Sequence, residues 1–299
     1  MNPTRLSALV VACLLFGASM WGIIWYPYRL LQQQGVSGEI SSLFSYAIPL
    51  LIFAWFHLRD IKAARPYWRL LLGIGLAAGW TNMSYVLAVL EGEILRVLLL
   101  FYLAPLWTVL FARLLLQEQL NRWGYGVMAL SISGAMIMLW PPQGGFPLPA
   151  NHAEWLALSA GMSFALANVL TRKASIVSLG AKSVAVWVGV TLVALLALAI
   201  EPGQWAFAAS ATPVTWFMLL GVGLLIAAMT YAVQYGLSHA PANQAIIIFL
   251  FELVVAAVSS YFLADEALSL KEWIGAALII AGSLFSGHME DAPEEGAAT

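Results

Sequence analysis

Residues 6–289 read as a succession of long apolar runs separated by short polar or Pro- and Gly-rich breaks. A helix crossing a ~30 Å hydrocarbon core takes about 20 mostly apolar residues, with a range of ~17–25. Ten segments meet that length: 6–28, 39–58, 70–90, 94–114, 122–140, 154–173, 182–200, 214–237, 242–263 and 271–287. Most hold no internal charge, and in the fourth Arg96 and Arg113 lie near its two ends, where a long side chain reaches the interface. The breaks carry turn-forming residues: Pro141, Pro142, Gly144, Gly145, Pro147 and Pro149 in one, Glu201, Pro202 and Gly203 in another. Val-Val-Ala-Cys at 10–13 loosely matches a lipoprotein cleavage box, but the apolar run continues to Tyr28, so the first segment is expected as an uncleaved helix. The pattern predicts an all-α membrane protein with ten transmembrane helices and no soluble domain. Residues 290–299 read as a short acidic, disordered tail.

Composition sharpens this. The chain is 62% hydrophobic and 9% charged, with mean hydropathy +0.87, against about 25% charged residues in an average soluble domain. The 13 Lys and Arg form no basic run and the formal net charge is −2, which argues against nucleic-acid binding. Cys13 stands alone, so a disulfide framework and any CxxC motif are excluded. Nothing resembles a nucleotide-binding Walker A sequence, which argues against ATP as the driver. Gly35-Val-Ser37-Gly38 matches a serine-nucleophile motif only superficially, with no histidine placed to activate it. His57 and His239 lie at helix ends, whereas a membrane cytochrome needs His pairs at depth. With the N terminus in the cytoplasm and strict alternation, the cytoplasmic side collects Arg5, Arg59, Lys62, Arg65, Arg69, Arg113, Arg122, Arg172, Lys173 and Lys182, and the opposite side Arg29, Arg96 and Lys271. That bias puts both termini in the cytoplasm.

The two halves repeat. An offset of 148 lays Trp68 on Trp216, Gly73 on Gly221, Gly75 on Gly223, Phe101 on Phe249, Glu118 on Glu266, Leu120 on Leu268 and Gly134 on Gly282. The opening helices need an offset of 143, which lays Trp21 on Phe164 and Arg29 on Arg172. Five helices per copy is an odd number, so the second copy enters the membrane inverted. The expected units are residues 1–145 and 146–289, two inverted five-helix repeats. Inverted repeats are a signature of secondary transporters with a site near the midplane.

The carrying segments are Phe101-Tyr-Leu-Ala-Pro105-Leu-Trp-Thr with Leu-Gln-Glu118-Gln-Leu120, and Leu263-Ala-Asp-Glu266-Ala-Leu268 with Glu272-Trp273-Ile-Gly275-Ala-Ala-Leu-Ile-Ile-Ala-Gly282. Each ends a helix, passes a Glu-x-Leu turn and enters a Gly-containing helix. In this the chain resembles the drug/metabolite transporter superfamily, and specifically its EamA-type members, over nearly its whole length. The resemblance implies a central cavity lined by helices 1–4 and 6–9, with helices 5 and 10 peripheral. Small residues at Ala129/Ser133 and Ala277/Ala281 are expected to let those two pack closely. The family often has proline in the middle of both the fourth and ninth helices. Pro105 is present here, but Leu253 takes the second place, removing the residue from which a hinge in the ninth helix would be inferred.

Candidate chemistry centres on Glu252, near the middle of the otherwise uncharged stretch Ala240 to Ala264. A carboxylate at bilayer depth costs roughly 2.5–3.5 kcal/mol on insertion scales and so faces protein or water. The alternative is a structural carboxylate pinning one helix to another. Ala245, Ala256 and Ser259 share its helical face, allowing close helix approach or room for a ligand. The carboxylate can accept a substrate ammonium or a proton. Trp21, Asn82, Tyr85, Tyr102, Asn168, Tyr231 and Gln234 are the further candidate substrate-binding residues. For the amides the competing reading is an interhelical hydrogen bond, worth ~0.6 kcal/mol on average. For the aromatics, Trp25, Trp80 and Trp107 among them, it is packing or lipid contact. Arg96, with Glu91 and Glu93 close by, reads as snorkelling to headgroups, and Glu118 and Glu266 read as helix-end anchors.

The expected protein is a bacterial inner-membrane secondary transporter, an exporter of small metabolites such as amino acids, working by alternating access and coupled to protons. Its partners are a small-molecule substrate, the lipid bilayer and protons, with no nucleic acid; oligomeric state is left open, a homodimer included. No cofactor or metal is expected. Alternatives are a non-transporting scaffold or sensor, or a carrier of other metabolites or drugs. An intramembrane enzyme is disfavoured because no nucleophile/base or metal-ligand set falls on neighbouring helices.

Overall fold

The computed structural model describes residues 6–92, 94–140, 149–200, 202–207, 211–264 and 269–289. Arg5, Glu93, the break at 141–148, Glu201, Glu266 and the tail 290–299 lie outside the described residues, as does the side chain of Arg96. Among the described residues the regular elements are all helical. They are α1 (Ala8–Gln33), α2 (Gly38–Phe53), α3 (Trp68–Glu91), α4 (Ile94–Phe101 then Ala104–Leu115), α5 (Arg122–Leu139), α6 (His152–Lys173), α7 (Leu179–Ile200), α8 (Pro213–His239), α9 (Ala242–Phe249 then Phe251–Ala264) and α10 (Leu270–Phe285). A 3-10 turn (Ala54–His57) and a short helix (Leu58–Ala63) continue α2, so that span runs to Ala63. Among the described residues nine spans are long and apolar enough to cross a membrane, with mean hydropathy from 1.2 to 2.5. The remaining helix, α5, is packed along α10.

Local sequence explains the ends. Ser7, Ser37, Asn121 and Asn151 cap α1, α2, α5 and α6 through side-chain oxygens that accept backbone N–H groups. Gly35 takes φ +81° in the turn between α1 and α2, a conformation that costs glycine little. The serine of the discounted motif, Ser37, is thus a helix cap.

Both broken helices break at the same place. α4 is interrupted at Tyr102-Leu103 and α9 at Leu250, the residue that the 148 offset lays on Tyr102. The interruption in α9 therefore persists without proline. Leu253 N–H donates to Leu250 O at 3.0 Å, a tight i to i+3 bond, and Pro105 has no N–H to offer its own partner at that point.

Helix neighbours obey the repeat. α1 packs on α8 as α6 packs on α3; α2 packs on α8 as α7 packs on α3; α1 packs on α9 as α6 packs on α4. The pairs α2–α7 and α5–α10 map onto themselves. Exchanging each helix for the one five places along leaves this set unchanged, which is the two-repeat fold seen as packing.

Burial is the reverse of a soluble globule. Leu51 is 77% exposed, Trp123 77% and Ile200 81%, while Lys182 and Ser183 are at 0%. Large apolar side chains face outward to lipid and polar ones inward, as the bilayer requires. Between helices already solvated by hydrocarbon, association rests on close packing and interhelical hydrogen bonds. At the α5–α10 seam a Cβ on Gly134 would lie 2.7 Å from Gly275 O, and one on Gly275 would lie 2.5 Å from Gly134 O. The seam uses Val127, Ser131, Gly134 and Met138 against Gly275, Ala276, Ile279 and Gly282. This corrects the expected faces: Ala129, Ser133 and Ala277 are exposed, because the glycines let the backbones approach on the opposite side.

Candidate functional site

The repeat leaves a cavity of about 290 Å³ at the centre of the bundle. Its walls come from α1–α4 and α6–α9, and α5 and α10 contribute nothing to them. Six of the eight expected residues line it: Trp21, Asn82, Tyr85, Asn168, Gln234 and Glu252. Residues from five different helices thus converge on one space.

Two expected residues do not line it. Tyr102 sits at the break in α4, 8% exposed, with its hydroxyl in hydrogen-bonding reach of the Glu252 carboxyl. Tyr231 is one residue past the lining Thr230 and therefore turned about 100° around α8. Its hydroxyl shares a hydrogen bond with His57 Nε2, while His57 Nδ1 lies 2.9 Å from Asp60 Oδ2. Its ring packs edge-on against Trp187 at 5.5 Å.

Glu252 is the sole acid in the lining, and no Lys, Arg or His is part of it among the described residues. It follows the break at Leu250, in the first turn of the second half of α9, where free N–H groups favour a negative charge. The face with Ala256 and Ser259 makes close helix approach rather than room for a ligand. Ser259 Oγ donates to Gly22 O at 3.0 Å and accepts from Trp25 Nε1 at 2.9 Å. A Cβ on Gly22 would meet the Glu252 carbonyl at 2.7 Å.

The rest of the wall is aliphatic and aromatic, with three amides and a few hydroxyls, and Phe249 packs behind it. Trp21, Phe101, Phe164 and Phe249 form one cluster, with centroid distances of 5.8 Å for Trp21–Phe249 and 5.6 Å for Phe101–Phe164. Those two pairs are counterparts under the repeat. Asn82 Oδ1, Asn168 Nδ2 and Gln234 Oε1 are buried without a protein hydrogen-bond partner. A buried polar atom left unpaired costs about 1–3 kcal/mol, and these three amide atoms are open to a bond from water or a bound molecule in the cavity.

Sequence reasoning missed Tyr28, Ser42, Tyr46, Thr81 and the aromatic pair Phe101 and Phe164 as lining. Two signals were available. Trp21, Trp25 and Tyr28 recur at i, i+4 and i+7 on α1, and Phe101 is matched to Phe249 in the repeat register. Trp80, by contrast, is 48% exposed on the outer surface. Among the described residues no group of three or more His, Cys, Asp or Glu is placed to hold a metal.

A wall of this kind binds a small organic molecule, with aromatic faces for apolar or cationic parts, amides for orientation and one carboxylate for positive charge. Comparison with known proteins agrees with a transport role. The chain is 27% identical over 287 residues to an uncharacterized transporter of Archaeoglobus fulgidus, covering 92% of this chain and 95% of that protein. It is 23% identical over 257 residues to a protein of Rickettsia prowazekii named as an S-adenosylmethionine uptake transporter, covering 83% and 80% of the two chains. A solved crystal structure shares the fold with a TM-score of 0.73 at 18% identity, over 93% of this chain and 96% of that one. The EamA-like transporter family matches twice, at residues 8–140 and 152–287. The chain belongs to the EamA-like transporter family, and is a multi-pass membrane transporter of a small molecule.

Proposed function

We propose that the chain is a proton-coupled secondary transporter that exports small organic cations or zwitterions, amino acids among them, by alternating access around Glu252. The observation that carries this is the electrostatics of the cavity: among the described residues, one carboxyl, no cationic side chain in the wall, and aromatic rings around it. A phosphate ester or nucleotide sugar would need Lys or Arg there, whereas an ammonium gains from both the carboxylate and the ring faces.

Proton and substrate compete for the same carboxyl group, and competition for one site gives exchange. A proton gradient directed inward then drives substrate outward. The charge bias of the loops supports an inner-membrane setting with both termini cytoplasmic. A second reading is uptake of a sulfonium compound. It is favoured by the relatives named for S-adenosylmethionine and by the same aromatic wall, since a sulfonium is also a cation.

Flux of labelled amino acids, amines and S-adenosylmethionine into proteoliposomes, with and without an imposed pH gradient, tests both. Saturable, gradient-driven exchange of an amine or amino acid supports the proposal. Gradient-independent uptake of S-adenosylmethionine alone favours the second reading.

A further inference from the structure

The cavity is closed at one end by an ionic cluster, and the wall shows where it stops. On α6 the lining ends at Thr171, on α8 at Leu237, and on α7 it begins at Val186. The next polar groups toward the end of the bundle that carries the start of α1 are Arg172, Ser238 and Lys182. Arg172 Nη1 donates to Ser238 O at 2.9 Å, and Lys182 Nζ donates to Ser238 Oγ. Arg172 Nε reaches Glu118 Oε1 at 3.1 Å, and Glu118 Oε2 accepts the Ala242 N–H at 2.8 Å.

Glu118 is held there by the end of α4. Gln117 takes φ +62° and Glu118 N–H returns to Ala112 O at 3.3 Å, the left-handed reversal that commonly ends a helix. The carboxylate is then turned inward to join α4, α6 and the first turn of α9, while Ser238 draws in α7 and α8. Five elements meet at one point beneath the cavity. Toward the other end the wall reaches Tyr28 near the end of α1 and Ser42 near the start of α2, and the ion pair described there, His152–Glu91, involves no lining residue.

We infer that the Glu118–Arg172 pair is the ionic lock that holds the cavity shut at the end bearing the N terminus, and that opening on that side requires the pair to part. Glu118 is therefore more than a helix-end anchor: it is a positioning residue that reports on the state of the cavity. The inference rests on the alternating-access reading, but its test reads accessibility and needs no substrate.

In a Cys13→Ser background, Thr171→Cys supplies a thiol at the inner edge of the wall. Its rate of modification by a membrane-impermeant reagent is measured separately from each face of oriented vesicles, the N-terminal face being identified by a tag. Glu118→Gln keeps an acceptor for Ala242 N–H and removes the charge. It should raise labelling from the N-terminal face at least about fivefold, the lower range for a conformational coupling, and leave or lower labelling from the other face. Unchanged rates in folded protein would overturn the lock, as would an equal rise from both faces, which would mean general loosening. Where Glu118→Gln does not fold, Arg172→Gln gives the same test. Failure of both to fold would make the pair a structural anchor and overturn the inference. The predicted labelling pattern together with a parent protein that carries no flux of any substrate tested would instead fault the transport reading.

Discussion

Trp21 and Phe164 meet edge to face at the centre of the molecule, with ring centroids 6.0 Å apart and planes at 74°. They are the same position in the two copies of the repeat, one on α1 and one on α6. A pseudo-twofold axis thus runs between two aromatic side chains rather than between backbones. Each ring also packs on an aromatic of its own counterpart pair, Phe249 for Trp21 and Phe101 for Phe164. The midplane of the cavity is therefore built symmetrically, and Glu252 breaks the symmetry. Its counterpart by the 148 offset is Ala104, so one half supplies the charge and both supply the rings.

Removing a π face while keeping the side chain apolar should weaken substrate affinity more than turnover. Trp21→Leu and Phe164→Leu are each expected to raise KM for a cationic substrate several-fold, in line with cation–π energies of about 0.5–2 kcal/mol. KM and kcat measured separately in proteoliposomes check this. Equal loss in both variants for neutral and charged substrates would point to packing instead.

The α5–α10 seam should govern stability and not recognition. Gly134→Leu or Gly275→Leu forces side-chain atoms into a facing carbonyl, an overpacking cost of about 1–3 kcal/mol. Ala277→Leu, on the exposed side of the same helix, should be tolerated. Thermal unfolding in detergent distinguishes them: the glycine variants melt lower and Ala277→Leu melts as the parent does.

Much of this fold was legible from apolar run lengths, because a helix in lipid has to satisfy its backbone internally and span a fixed thickness. The inverted repeat was legible from Trp, Gly and Glu matches and from the odd helix number. Helix faces were not. In a bilayer the lipid side and the packed side are both apolar, so the sequence of α5 gives Ala129/Ser133 no less claim to the seam than Ser131/Gly134. The break in α9 was hidden for a related reason: Leu250 carries no turn signature, and only its register with Tyr102 marks it. Polar residues were more informative, since Asn82, Asn168, Gln234 and Glu252 all reach the cavity. Tyr231 did not, because one residue of a helix rotates a side chain about 100°, and a neighbour of a lining residue faces elsewhere. Lys182, one turn inside α7, counts in sequence as one of the cytoplasmic charges, while the fold buries it against Ser238.

The hydrogen bond from Trp25 to Ser259, 2.9 Å long, ties α1 to α9 beside Glu252. A double-mutant cycle with Trp25→Phe and Ser259→Ala should give a coupling of about 0.6 kcal/mol and no more than about 1.7 kcal/mol. Thermal unfolding of the four proteins measures it. Strict additivity would mean that the tie between α1 and α9 is carried by packing at Gly22 alone.

The central claim is that one carboxyl group, Glu252, serves both substrate and proton. Charge-assisted hydrogen bonds contribute about 1.5–3 kcal/mol, so Glu252→Gln should weaken binding of a cationic substrate about tenfold or more in a protein that remains folded in the membrane. The most direct measurement is exchange driven by an imposed pH gradient, in parent and Glu252→Gln proteoliposomes, beside counterflow with no gradient. The account predicts gradient-driven accumulation in the parent and none in Glu252→Gln. Gradient-driven transport by Glu252→Gln at the parent rate would contradict it and return Glu252 to the role of a structural carboxylate.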